Sequence, residues 1–94
     1  MSINAYHLTD GKMRDVTFNL SRDINLSDFL DSEMQFYGDI HEGSGIINIP
    51  VKTLKKALRQ SKKLNLDEET ILRLLSDISA AKSSKDEVVT YYCF

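Results

Sequence analysis

Polar and apolar side chains alternate on both sides of Asp10-Gly11, a dipeptide favoured in two-residue hairpin turns because both positions take positive φ. Pairing Thr9 with Lys12 sets Leu8 opposite Met13, Tyr6 opposite Asp15, Ala5 opposite Val16 and Ile3 opposite Phe18. In that register Ile3, Ala5, Val16, Phe18 and Leu20 share one face, and the other face is mostly polar. The pattern predicts a hairpin with one buried side.

Beyond Arg22 the apolar spacing becomes helical. Asn25 reads as a helix cap, with Ile24 and Phe29 at staple positions, and Leu26, Phe29, Leu30 and Met34 follow on one stripe. Residues 34–40, centred on Gln35-Phe36-Tyr37, suit a strand that turns through His41-Glu42-Gly43-Ser44-Gly45 into Ile46-Ile47-Asn48-Ile49. The two glycines of that loop can supply left-handed φ values.

Pro50 ends the strand and fits the first turn of a helix. From Val51 to Leu64 the faces separate: Val51, Leu54, Ala57, Leu58, Ser61 and Leu64 lie on one side and the basic residues on the other. Asp67 caps a further helix, with Leu66 and Ile71 as its staple. That helix has a stripe of Ile71, Leu74, Leu75, Ile78 and Ala81, widened by Leu72. Val88–Phe94 is rich in β-formers and reads as a closing strand. The predicted order is ββαββααβ, an α+β fold with an antiparallel or mixed sheet of about five strands and three helices on one face. Its expected core is Ile3, Val16, Phe18, Leu20, Phe29, Leu30, Leu54, Leu58, Ile71, Leu75 and Ile78.

Ninety-four residues suit a single domain, 1–94. With 41% hydrophobic and 28% charged residues, one Pro and four Gly, the chain falls outside the disordered and low-complexity classes. Its longest apolar run, Tyr91-Tyr92-Cys93-Phe94, is far short of the ~20 residues that span a membrane. The stretch Met1–His7 has neither the basic start nor the apolar core of a signal peptide. Cys93 is the single cysteine, so no internal disulfide can form. Together these features predict a cytoplasmic protein.

Charge is strongly segregated. Residues 1–50 carry three basic and eight acidic side chains, whereas Lys52, Lys55, Lys56, Arg59, Lys62 and Lys63 form a basic face without an acid among them. That face suits phosphates or an acidic protein, or it is an ordinary solvated helix side. A helix-turn-helix reading of 52–82 fails, because Asp67, Glu68 and Glu69 would begin the recognition helix and repel phosphates. In the acidic half, Asp28, Asp31 and Glu33, with Tyr37 nearby, could steer and hold a basic partner.

Catalytic chemistry is thinly represented. Asp39, His41 and Glu42 match no established metal-ligand spacing. Gly43-Ser44-Gly45 precedes a strand and lacks the P-loop lysine and the dinucleotide pattern. Cys93 reads as a buried small hydrophobe. The sequence therefore predicts a protein without cofactor, metal or catalysis of its own. It would be a small binding protein of inhibitor, immunity or accessory type that occupies a protein partner through charged surfaces, the partner being of the basic toxin or nuclease kind. The alternative is a nucleic-acid-associated protein using the Lys52–Lys63 face, and a third reading is a metal-dependent enzyme at Asp39, His41 and Glu42.

Overall fold

The computed structural model describes residues 3–94; Met1 and Ser2, from the stretch read for a signal peptide, lie outside the described residues. The chain is α+β. Strands β1 (Asn4–Thr9), β2 (Lys12–Asn19), β3 (Gly45–Pro50) and β4 (Val88–Cys93) form one antiparallel sheet in the order β2-β1-β4-β3. Helices α1 (Ile24–Met34), α2 (Val51–Arg59) and α3 (Glu68–Ser83) cover one side of it. The β-formers at the carboxy-terminal end do join the sheet, and they take a central place between β1 and β3.

Asp10 and Gly11 turn the first hairpin with φ of 53° and 72°, and Thr9–Lys12 and Leu8–Met13 pair as the turn requires. Further along, the predicted register fails. Tyr6 pairs with Val16, Ala5 with Phe18 and Asn4 with Asn19, so β2 accommodates two extra residues. One shift lets Thr17 and Phe18 both point into the interior opposite Ala5. The other sets Arg14 and Asp15 against His7. Val16 consequently moves to the side away from the helices, and Thr17 replaces it inside. Bulges of this kind re-aim side chains.

The five-strand expectation is corrected at residues 34–40. Helix α1 runs on to Met34, Gln35 closes it in the left-handed region at φ 56°, and Phe36–Asp39 form a single 3₁₀ turn. Phe36 is fully buried there, which gives the segment a packing reason to fold back on α1. The following turn is real: His41 and Ser44 exchange backbone hydrogen bonds of 2.9 and 3.1 Å. Glu42 and Gly43 supply its positive φ values. Gly45 is needed for a different reason. A Cβ there would drive into the Asp39 carbonyl oxygen.

Helix starts and faces also shift. Asp23, not Asn25, precedes α1; its carboxylate accepts the Asn19 N–H at 2.9 Å, and Ile24 stands exposed instead of stapling Phe29. Helix α2 ends at Arg59, after which i→i−3 bonds carry the chain through a looser turn. The bond from Leu66 N–H to the Ser61 carbonyl, with Asn65 at φ 54°, closes that turn. Asp67 caps α3 as expected, accepting the Thr70 N–H at 2.7 Å. The buried stripe of α3 is Thr70, Leu74, Asp77, Ile78 and Ala81. Leu75, expected inside, is 48% exposed, and Leu72 is 61% exposed.

One core joins the two layers. Ala5, Phe18, Ile47, Ile49, Val89, Tyr91 and Cys93 from the sheet meet Leu26, Leu30, Leu54, Ala57, Leu74 and Ile78 from the helices, with Leu20 and Phe36 at the connections. Ile3, Phe29 and Leu58 pack against it partly buried, while Val16 and Ile71 are only half-buried.

Candidate functional site

The acidic segment is built by the turn that ends α1. Because Gln35 reverses the chain direction, the 3₁₀ turn folds back along the helix. The Tyr37 backbone N–H then donates to the Asp31 carboxylate at 2.9 Å, and the Tyr37 hydroxyl donates to Asp28 at 2.9 Å. Phe36 beneath it is buried, its ring 5.9 Å from that of Tyr37 and edge-on to it. The result is a tyrosine tethered at its hydroxyl by Asp28 and at its backbone N–H by Asp31, with 38% of the residue in solvent. Partial burial, the bond to Asp28 and the two negative charges push its pKa up to about 12.

Of the four acidic-surface residues read from the sequence, the structure brings Asp28, Asp31 and Tyr37 together. Glu33 is drawn aside into an ion pair with Lys56 of α2. Asp28 and Asp31 form no ion pair among the described residues. Asp28 is exposed and Asp31 half-buried, and their charge is not neutralised by a neighbouring cation among the described residues.

All six residues of the basic face are exposed. Lys62 and Lys63 lie beyond the end of α2, and Lys56 is engaged by Glu33. Lys52 and Lys55 line a cleft of about 650 Å³ together with Lys82 of α3, Asp86 and Glu87. Lys82 could not be placed there from the sequence, since only the packing of α3 on α2 brings it near.

A third constellation escaped the sequence reading. Asp77 is buried between α3 and the sheet, where one carboxylate oxygen accepts bonds from the Thr17 hydroxyl at 2.6 Å and the Tyr91 hydroxyl at 2.7 Å. Its other oxygen lies 3.1 Å from Nδ1 of His7. His7, Thr17 and Asp77 line a cleft of about 870 Å³ together with Arg14, Asp15, Arg73 and Ser76, and Tyr91 lies buried behind them. Burial first, then the Asp77 charge, hold the Tyr91 pKa well above its ordinary value. Two signals were present in the sequence: His7 alternates in phase with Ala5, and Asp77 sits three residues after Leu74 on the apolar side of α3. The Thr17 contribution was invisible, because it depends on the bulge.

The remaining candidates separate. Asp39, His41 and Glu42 are exposed around a tight turn, and no three His, Cys, Asp or Glu side chains are gathered for a metal ion among the described residues. Cys93 is buried, and desolvation pushes its thiol up to about 12, so the thiolate is scarce at neutral pH. No helix among the described residues is long and apolar enough to cross a membrane. Comparison with known protein families, with curated proteins and with solved structures returned no match.

Proposed function

We propose that this chain is a non-catalytic protein-binding protein that meets a basic partner through the patch of Asp28, Asp31 and Tyr37. The observation that carries the reading is the double tether of Tyr37. A tyrosine tethered in advance by two carboxylates, one at its hydroxyl and one at its backbone N–H, loses little conformational freedom on binding. Tyrosine is enriched at binding hot spots, and exposed carboxylates steer cationic partners. The protein would act by occupation, as inhibitors, immunity proteins and accessory factors do, and a toxin or nuclease with a cationic substrate site has the matching charge. The reading includes a cytoplasmic setting, consistent with one buried thiol and no disulfide.

The test compares wild type with the triple variant Asp28→Asn, Asp31→Asn and Tyr37→Phe as baits in native extract at low salt. A basic protein retained by wild type and lost by the variant is the expected result. With that partner purified, association should slow by about 10-fold or more and lose most of its salt dependence. Equal association rates at low ionic strength would remove this patch from consideration.

The second reading, nucleic-acid association, is supported by Lys52, Lys55 and Lys82 converging on one cleft. It predicts binding to random DNA or RNA that weakens steeply with salt. Fluorescence polarisation showing no binding at ~100 μM, beyond typical non-specific affinities, would exclude it.

A further inference from the structure

No helix or loop among the described residues covers the side of the sheet opposite the helices. Its composition is unusual for a solvated face. Because Ala5 and His7, Ile47 and Ile49, and Val89, Tyr91 and Cys93 point to the helices, Tyr6, Leu8, Ile46, Asn48, Val88, Thr90 and Tyr92 point the other way. The pairs Tyr6–Val16 and Leu8–Met13 add Val16 and Met13 from β2. None of these residues carries a charge, although 28% of the chain does. An antiparallel sheet open to water ordinarily alternates apolar-in with polar-out. Here the outward side is uncharged: aromatic and aliphatic side chains surround the hydrogen-bonded pair Asn48–Thr90.

The register aligns the exposed groups into a band. Val16, Tyr6, Tyr92 and Ile46 are cross-strand partners in turn, one from each strand of the sheet. The Phe94 ring stacks on Tyr6 at 4.9 Å and leans on Tyr92 at the same distance. Ile46 is 60% exposed, and Met13, Val88, Tyr92 and Phe94 are exposed as well. Depletion of charge with enrichment of aromatics is the composition of an interface centre.

We propose that this face is the dimer interface of the protein, two copies packing sheet against sheet about a two-fold axis. Charge decides the occupant. A nucleic acid needs Lys or Arg for its phosphates, and this face has neither. A charged protein surface laid on it would strand its charges without partners. An uncharged face of the same extent is required, and the chain itself presents one. Two-fold symmetry would lay the aromatic band of one copy across that of the other, the aligned packing of β-sandwiches. Pairing by strand addition is disfavoured at the edges: β2 carries Lys12, Arg14, Asp15 and two register shifts, and β3 ends in Pro50. The Asp28–Tyr37 patch lies in the helical layer, so a dimer would display it twice.

Sedimentation equilibrium with the full chain tests this directly. Wild type is expected at twice the mass of the chain at ~50 μM, within the range of ordinary interfaces. Ile46→Lys combined with Tyr92→Lys places like charges across the axis and should raise the dissociation constant by at least about 100-fold. Leu72→Lys, an exposed change on α3, should leave the dimer intact. Circular dichroism of each variant verifies that the fold is retained, and a single Ile46→Ser variant serves if the double one does not fold. A monomeric wild type at that concentration overturns the proposal, even if the face then proves to bind another protein. A dimer that survives the folded face variants overturns it equally. Neither result bears on the acidic patch, whose test is association with a basic partner.

Discussion

The Tyr91 hydroxyl donates to the buried Asp77 carboxylate at 2.7 Å, joining the central strand β4 to α3 in the middle of an otherwise apolar contact. A buried carboxylate is costly unless its acceptor sites are filled. Thr17 fills a second site at 2.6 Å and His7 stands 3.1 Å from the third. The network therefore fixes how α3 sits on the sheet. Register along an apolar stripe alone would be looser.

Removing one donor and removing the acceptor should have unequal effects. Tyr91→Phe deletes a hydrogen bond to a charged group and is expected to cost about 1.5–3 kcal/mol. Asp77→Ala strands the buried hydroxyls of Tyr91 and Thr17 and the His7 imidazole, so it should cost more, about 3–5 kcal/mol. Urea unfolding of both variants gives the comparison. Losses below ~0.5 kcal/mol at both, the usual effect of a surface change, would mean that the network holds nothing.

Much of this fold is legible in the residues that control local geometry. Asp10-Gly11 specifies its turn, Asp67 its cap and Pro50 its strand-to-helix junction, because each acts on the backbone beside it. What could not be read depends on contacts distant in sequence. The hairpin register needs Thr17 to meet Asp77, sixty residues on. Phe36 leaves the strand pattern because a pocket elsewhere in the chain accepts it. The stripe of α3 shows the same limit: Leu75 fits the periodicity as well as Asp77 fails it, yet the hydroxyls on the sheet select Asp77 for the interior. For the acidic surface, sequence proximity was a fair guide to Asp28, Asp31 and Tyr37, whereas Lys56 removed Glu33. The apolar open face was missed because the predicted register assigned polar residues to it.

Rotation of α3 gives a sharp contrast between neighbouring leucines. Leu74 is fully buried, so Leu74→Ala should cost about 2–5 kcal/mol by loss of burial and cavity formation. Leu75→Ala, at a half-exposed site, should stay within about 0.5 kcal/mol. Equal losses on thermal or urea unfolding would restore the stripe expected from periodicity.

Gly45 and Gly38 make a second pair. An added methyl at Gly38 meets nothing within 4 Å, whereas at Gly45 it collides with the Asp39 backbone. Gly45→Ala should therefore disturb the entry to β3 and lower stability by at least about 1 kcal/mol, as strained positions do. Gly38→Ala should be close to neutral or slightly stabilising, by restricting the unfolded chain. A neutral Gly45→Ala in urea unfolding would contradict the close approach.

Alkaline stability carries a definite sign. Burial raises the Cys93 thiol from 9.0 to about 12 and the Tyr91 phenol well above 10.0. Between those limits the folded chain holds protons that the unfolded chain has released. Stability from these groups is complete below about pH 9 and is lost as pH rises toward 12. Cys93→Ala should flatten part of that decline, at the expense of packing at neutral pH. The thiol should also react slowly with disulfide reagents at pH 8 until urea unfolds the chain. Stability rising with pH in this window would contradict the burial of both groups.

Tyr37 allows the acidic patch to be examined without a partner. Its hydroxyl is raised to about 12 by partial burial and by Asp28, which accepts its proton-bearing bond and adds a charge, with Asp31 contributing further charge. Asp28→Asn preserves an acceptor oxygen but removes the charge, so Tyr37 should ionise at lower pH, toward 10.0. Asp31→Asn should lower it less, since only a charge contribution is lost. Ring-carbon NMR shifts of selectively labelled tyrosine, followed between pH 8 and 12, resolve the residue, with Tyr37→Phe supplying the assignment. The order of the two shifts is the decisive quantity. A larger shift for Asp31→Asn would mean that the phenol points away from Asp28. The preset ring on which a basic partner is proposed to dock would then not exist.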